Sequence, residues 1–286
     1  MPGLKALLKG RKPVPQRDLI YDFMEGEGER LLVILDACRL DFFVKHLDIL
    51  RRAGISGFLI AISSGSCTAD WFENTFKKPL KDVVYISANP QLSVRPRRER
   101  LFRCFSRVSE VWRYAWDEEL GTVRAGKVSE AVRIAFKRGA EKVIAHYMQP
   151  HPPFVPGSWL NVPYDRGLKS GTIVGPYRRA SRSPLARQEF IKAYGQNVIY
   201  VMSEVAKLVR WFFRKHGRAR VAITSDHGEC FGRWTPLAHF RKRIWKWLPW
   251  LIGIYKEVGH PCGRRYPELL YVPWAMSSSL DLISSS

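Results

Sequence analysis

The chain has 286 residues, room for one large α/β domain or two small ones, and a single domain around one buried core is the simpler reading. Its 47 Lys and Arg against 26 Asp and Glu give a formal net charge of +21, which points to an anionic partner such as a phosphate ester or an acidic membrane face, although a solvated basic surface accounts for it as well. No aromatic-rich RNA-binding motif, zinc-finger pattern or helix-turn-helix spacing appears, which argues against nucleic acid.

Residues 1–30 read as a basic N-terminal tail, because the apolar part of Met1 to Asp18 (Leu4, Ala6, Leu7, Leu8) is too short for a signal-peptide core. No uninterrupted apolar run is long enough to span a bilayer. The expected location is therefore cytoplasmic, or peripheral at the cytoplasmic face of the membrane. Cys38, Cys67, Cys104, Cys230 and Cys262 are odd in number and lack CxxC spacing, so a reducing compartment without a disulfide framework is expected.

Leu31 to Asp36 is the first predicted strand, an apolar run ending in a carboxylate, and Arg39 to Arg52 follows with Leu40, Phe43, Val44, Leu47 and Leu50 at helical spacing. Ser56 to Ile62 is a second strand. It runs into a Gly/Ser turn, Ser63 to Thr68, and a short helix from Asp70 to Phe76, and Asp82 to Ile86 is a third strand. Arginines between Arg95 and Arg107 read as a solvated face, with anion binding as the sharper alternative. Gly126 to Arg138 has a helical apolar face, and the strand Lys142 to Met148 opens into Gln149-Pro150-His151-Pro152-Pro153-Phe154.

Val155 to Arg187 is aperiodic and rich in Pro, Gly, Ser and Arg, the character of an excursion that covers a site. A long helix from Ala186 to Lys215 leads to the β-branched strand Val221 to Ser225, which ends in Asp226-His227-Gly228-Glu229. In residues 241–252, Arg241-Lys242-Arg243 stands beside Trp245, Trp247 and Trp250, a pattern that fits a helix packed on the sheet with Trp as core filler and, as the sharper alternative, an anionic headgroup interface. Pro267 to Trp274 is a last strand, and residues 277–286 form a Ser-rich tail. Alternating strands and helices over residues 31–276 predict one α/β domain with a doubly wound, mostly parallel sheet and helices on both faces.

Such sheets carry their sites at the carboxyl ends of their strands, where Asp36, Thr68, Asp226 and His227 are placed. Singly, each is ordinary: Asp36 or Thr68 could cap a helix, and His227 could be a hydrogen-bonded loop residue. As a set they offer hard oxygens and one imidazole to Zn²⁺ or Mn²⁺, and a cation touching the Thr68 hydroxyl would favour its alkoxide as a nucleophile. That chemistry suits phosphorus or sulfur esters, whose charge builds on several peripheral oxygens. Arg39 has the geometry to hold phosphate, or else to pair with Asp41 or Glu229.

Leu32 to Asp41, Gly65-Ser66-Cys67-Thr68-Ala69-Asp70, His146 to Phe154, Thr224 to Glu229, and Gly259-His260 followed by Val272-Pro273-Trp274 occur in the order seen in the alkaline phosphatase superfamily. The chain resembles its sulfatase-like branch, which holds sulfatases and phosphoglycerol or lipoteichoic acid synthases. The resemblance implies an alkaline phosphatase-like three-layer sandwich and a metal site of Asp36, Thr68, Asp226 and His227, with one or two ions. It makes Thr68 both nucleophile and ligand. It places His151 and His260 against the transferred or leaving group, with His260 also a candidate for a second ion.

The sequence departs from sulfatases at the nucleophile: Cys67 is followed by Thr68, Ala69, Asp70 and Trp71, without the Pro and Arg that accompany formylglycine formation in that branch. The expectation is a metal-dependent hydrolase or transferase acting on a phosphoester, possessing an anionic substrate that is lipid- or glycan-linked. The alternatives are an inactive metal-binding accessory protein of the same fold and a sulfoester hydrolase.

Overall fold

In the computed structural model of the protein, residues 4–10, 12–161, 175–217, 219–233 and 257–277 are described. Twelve strands are β1 (Val14–Pro15), β2 (Arg30–Asp36), β3 (Gly57–Ile62), β4 (Leu80–Ser87), β5 (Phe105–Glu110), β6 (Trp116–Asp117), β7 (Thr122–Val123), β8 (Lys142–Pro150), β9 (Arg220–Ser225), β10 (Cys230–Arg233), β11 (Glu257–Gly259) and β12 (Tyr271–Met276). The helices are α1 (Leu4–Leu8), α2 (Gln16–Glu25), α3 (Leu40–Lys45), α4 (Asp48–Arg51), α5 (Thr68–Thr75), α6 (Arg97–Cys104), α7 (Ala125–Lys137), α8 (Gly175–Arg182), α9 (Pro184–His216) and α10 (Pro267–Leu270).

Eight strands form one sheet in the order β1-β3-β12-β9-β2-β8-β4-β5. All neighbours are parallel except β12, which runs antiparallel to both β3 and β9. The strand β2 shows why the sheet is covered on both sides. Leu31, Val33 and Leu35 enter one apolar cluster with Phe43 of α3, Val128 and Val132 of α7, and Val201, Val205 and Leu208 of α9. Leu32 and Ile34 enter a second with Ile20 and Phe23 of α2 and Trp71 and Phe72 of α5. Alternation along one fully buried strand thus feeds both cores, the pattern of a three-layer sandwich.

The fold departs from the sequence reading in three places. Residues 14–25, assigned to a tail, are built into the domain: β1 pairs with β3, and α2 buries Gln16, Leu19, Ile20, Phe23 and Met24. These positions follow the i, i+3, i+4, i+7, i+8 stripe of an amphipathic helix. The predicted helix over 39–52 is divided into α3 and α4. The predicted last strand begins as α10, with Pro267 in its first turn, and becomes β12 only at Tyr271.

The excursion after β8 contains α8, while residues 162–174 and the Trp/Arg segment 241–252 lie outside the described residues. Part of the basic run over 95–107 is engaged within the protein. Arg97 meets Glu73 at 3.7 Å, Arg98 pairs with Glu110 at 2.9 Å, and Arg100 donates to the Phe76 carbonyl at 2.8 Å. Among the described residues no helix is long and apolar enough to cross a membrane.

Candidate active site

Because β2, β3, β4, β8 and β9 run in the same direction, the segments leaving their carboxyl ends meet along one edge of the sheet. Asp36 ends β2, Asn89 follows β4, His151 follows β8, and Asp226 and His227 follow β9. Thr68 opens α5 after the turn that leaves β3. The turn lies hard against the helix: a Cβ on Gly65 would meet the Trp71 nitrogen at 2.2 Å, so only glycine allows this approach. Gly228 is equally constrained, as its Cβ would fall 2.0 Å from the Glu268 carbonyl oxygen.

Asp36, Asp226 and His227 are buried and bring one ligand atom each to within 4.8 Å of one another. Thr68 Oγ1 donates to Asp226 Oδ2 at 2.7 Å and lies 3.4 Å from His227 Nε2. His227 Nδ1 lies 2.8 Å from the Gly228 carbonyl, a bond in which the ring nitrogen donates, so Nε2 presents its lone pair toward the carboxylates and Thr68. Asp226 Oδ1 accepts from the backbone N–H of Ala37 at 3.0 Å and of His227 at 2.8 Å. Asp36 Oδ2 accepts from Asn89 Nδ2 at 2.5 Å, and the same amide nitrogen lies 3.3 Å from Thr68 Oγ1.

One atom decides what this site is built for. Asp36 Oδ1 is buried and has no hydrogen-bond partner, yet it lies 3.8 Å from His227 Nε2. A buried carboxylate oxygen left alone costs several kcal/mol, and a cation among these groups removes that cost. Two carboxylates, one neutral imidazole and a hydroxyl match a divalent ion such as Zn²⁺ or Mn²⁺. Without the ion, burial pushes the Asp36 carboxyl well above its usual range, and neighbouring Asp226 and Glu229 push further. Burial acts on Asp226 in the same sense, but His227 and His146 beside it hold it below the usual carboxylate range. Burial also lowers His227, which keeps the ring in its ligating form.

A second group of side chains lines the site. The β10–β11 ribbon pairs Cys230 with Gly259 and so sets Glu229 beside His260. His260 Nδ1 is 3.2 Å from both Glu229 carboxylate oxygens, and Tyr177 of α8 donates to Glu229 Oε2 at 2.9 Å. Burial raises Glu229 to about 7 and lowers His260 to about 4. The His151 ring is centred 5.1 Å from that of His260, and its Nδ1 bonds its neighbour's carbonyl, that of Pro152, at 2.6 Å; burial lowers it to about 3. The His260 ring also lies 4.4 Å from that of His227.

The predicted residues therefore come together, with two corrections. Arg39 does not reach for an anion: it forks onto Asp41 at 2.9 and 2.8 Å, donates to the Glu229 carbonyl at 3.0 Å, and lies over the Phe231 ring. Its donors are committed to holding the β2–α3 turn. The expectation of no disulfide is also overturned, since Cys67 and Cys262 are bonded across 195 residues of sequence. Sequence reasoning missed Asn89, Tyr177 and the role of Glu229. An Asn two residues past a strand gives no local signal, and Tyr177 lies in a segment that reads as irregular.

No protein-family model matches this sequence, and no curated protein matches it. Solved structures do. The C-terminal periplasmic domain of EcEptC from Escherichia coli, in complex with Zn, superposes with a TM-score of 0.57 at 14% identity, covering 92% of this chain and 76% of that one. The soluble domain of lipooligosaccharide phosphoethanolamine transferase A from Neisseria meningitidis gives 0.55 at 14% identity over 90% and 79% of the two chains. The 2-O glycosaminoglycan sulfatase BT1596 gives 0.52 at 12% identity over 88% and 64%. The fold is that of these domains, alkaline phosphatase-like and sulfatase-like.

Proposed function

We propose that the protein is a metal-dependent enzyme that transfers or hydrolyses a phosphoester group through Thr68. The observation that carries this reading is the seat of Thr68 Oγ1, 2.7 Å from Asp226 Oδ2 and 3.4 Å from His227 Nε2, beside the unpartnered Asp36 Oδ1. Asp36, Asp226 and His227, with Thr68, would hold one ion, Zn²⁺ or Mn²⁺. When bound, it supplies Lewis acidity that favours the Thr68 alkoxide and neutralises an ester oxygen. This reading assigns His260 to the leaving group rather than to a second ion.

Thr68 Oγ, its proton released to water, attacks phosphorus in line, and the bond from phosphorus to the leaving oxygen breaks as phospho-threonine forms. His260 gives the leaving oxygen its ring proton while the Glu229 carboxyl, which burial raises to about 7, replaces it at Nδ1, and His151 bears on the transferring group. Water or an acceptor hydroxyl then attacks phosphorus and frees Thr68. Formylglycine chemistry has no support here, since the Cys67 sulfur is engaged with Cys262. The substrate class we favour is a lipid- or glycan-linked phosphoester, in keeping with the net positive charge and with a neighbour described as a lipooligosaccharide phosphoethanolamine transferase.

An oxidising compartment, rather than the cytoplasmic location expected from the sequence, is part of the proposal, and the Cys67–Cys262 disulfide supports it. Contact of residues 241–252 with an anionic membrane stands as a separate proposal, and failure to float with anionic vesicles would remove it. Metal content and turnover of chromogenic phosphomonoesters, phosphodiesters and sulfate esters, measured beside Thr68→Ala, test the whole reading. Activity that needs Zn²⁺ or Mn²⁺ and disappears in Thr68→Ala is expected. A protein that takes up metal and turns over none of these esters would be the accessory protein.

A further inference from the structure

We propose that the Cys67–Cys262 disulfide is a positioning clasp that seats His260 beside the nucleophile, so that turnover depends on the bond being oxidised. This rests on the reading of Thr68 as nucleophile and His260 as proton donor. The two cysteines flank those two residues: Cys67 immediately precedes Thr68, and Cys262 lies two residues after His260. Further contacts tie the same two segments. Ser66 Oγ donates to the Pro261 carbonyl at 2.9 Å and accepts from the Arg264 N–H at 3.1 Å, and Asp70 Oδ2 accepts from the Gly263 N–H at 2.7 Å.

On its other side, His260 is fixed by Glu229 and by the pairing of Gly259 with Cys230. The segment 260–264 is therefore held at one end by the ribbon and at the other by the clasp. With the bond opened, three hydrogen bonds at Ser66 and Asp70 remain, among the described residues, between this segment and the start of α5, and Asp70 and Gly263 are solvent-accessible. Such bonds compete with water and add little each.

The chemistry of opening is accessible from one side. Cys67 is buried and Cys262 is exposed, so a dithiol reductant attacks the Cys262 sulfur and Cys67 leaves as a thiolate. The reductant's second thiol then displaces Cys262 from the mixed disulfide. Two electrons pass, the dithiol becomes a disulfide, and two thiols remain on the protein.

The test uses oxidised protein, dithiol-reduced protein freed of reductant, and the double variant Cys67→Ser with Cys262→Ser, all well below their melting temperatures. Each is assayed on a 4-nitrophenyl phosphoester, whose leaving oxygen needs no proton, and on an alkyl phosphoester, whose leaving oxygen does. The clasp predicts that kcat for the alkyl ester falls about tenfold or more in the reduced and variant forms, while the nitrophenyl ester changes by less than about twofold. Zinc content should hold, reoxidation should restore the reduced protein, and hydrogen exchange should quicken at residues 259–264. An equal loss on both esters, or no loss on either, overturns the proposal. If no form turns over either ester, the reading of Thr68 fails first, and exchange alone decides: faster exchange on reduction upholds the clasp and unchanged exchange overturns it.

Discussion

Thr68 is buried, bonded to one carboxylate and near one imidazole nitrogen, and its hydroxyl is the atom on which the proposed chemistry depends. Thr68→Ala should reduce turnover by at least about a thousandfold while leaving metal bound, because three side-chain ligands remain; assay and metal content on one preparation check this. Asn89 acts one step further out, holding Asp36 Oδ2 and leaving Oδ1 for the ion. Asn89→Ala should therefore weaken metal affinity by roughly 10–100-fold, read by competition with a chelating dye, with kcat at saturating metal much less affected. The clustering of Asp36, Asp226 and His227 was legible from sequence because they stand at the ends of apolar runs. Glu229 and Asn89 were not, since a hydrogen bond across the sheet edge leaves no mark on local spacing. Arg39 was half legible: pairing with Asp41 or Glu229 was open beside anion binding, and the bidentate bond to a partner two residues away prevailed.

At the scale of elements, α2 shows how composition misleads. The basic, Pro-containing start of the chain looks like a tail, yet the apolar stripe from Leu19 to Met24 closes one face of the sheet. Ile20→Ala should cost about 2–5 kcal/mol in urea unfolding, and a loss under about 0.5 kcal/mol would return α2 to the tail. Glu110, at the end of β5, gives a pH-dependent counterpart. Burial raises its carboxyl, but Arg98 and Arg113 at 2.9 and 2.8 Å and Ser93 overcome this and hold it at about 2, below its ordinary 4.5. A depressed carboxyl stabilises the fold fully above its unfolded value, and that contribution is lost as pH falls from about 4.5 to about 2. Both arginines are half-exposed, so solvent screening reduces the effect to about 1 kcal/mol. Glu110→Gln should be less stable than the parent at pH 7 and match it near pH 2, as unfolding at the two pH values would show.

Over the whole molecule, strand and helix alternation was enough to specify a doubly wound sheet, because each unit is local in sequence. Antiparallel β12, inserted between β3 and β9, was not legible as such, since pairing partners some 50 and 200 residues away leave no local pattern. The disulfide was hidden for the same reason: its cysteines are 195 residues apart, and an odd cysteine count concealed the pair. The site gathers segments from most of the chain onto one sheet edge, so metal binding should be linked to global stability. Removing the ion with a chelator should lower the melting temperature, and Zn²⁺ or Mn²⁺ at about a hundred times its dissociation constant should restore about 2.7 kcal/mol.

The most direct test of the central claim is covalent. Protein incubated with Zn²⁺ or Mn²⁺ and a chromogenic phosphoester, then quenched in acid during turnover, should carry a phosphoryl group on the peptide containing Thr68, found by mass spectrometry and absent from Thr68→Ala. A phosphoryl group on another residue, or undiminished turnover by Thr68→Ala, would contradict the account.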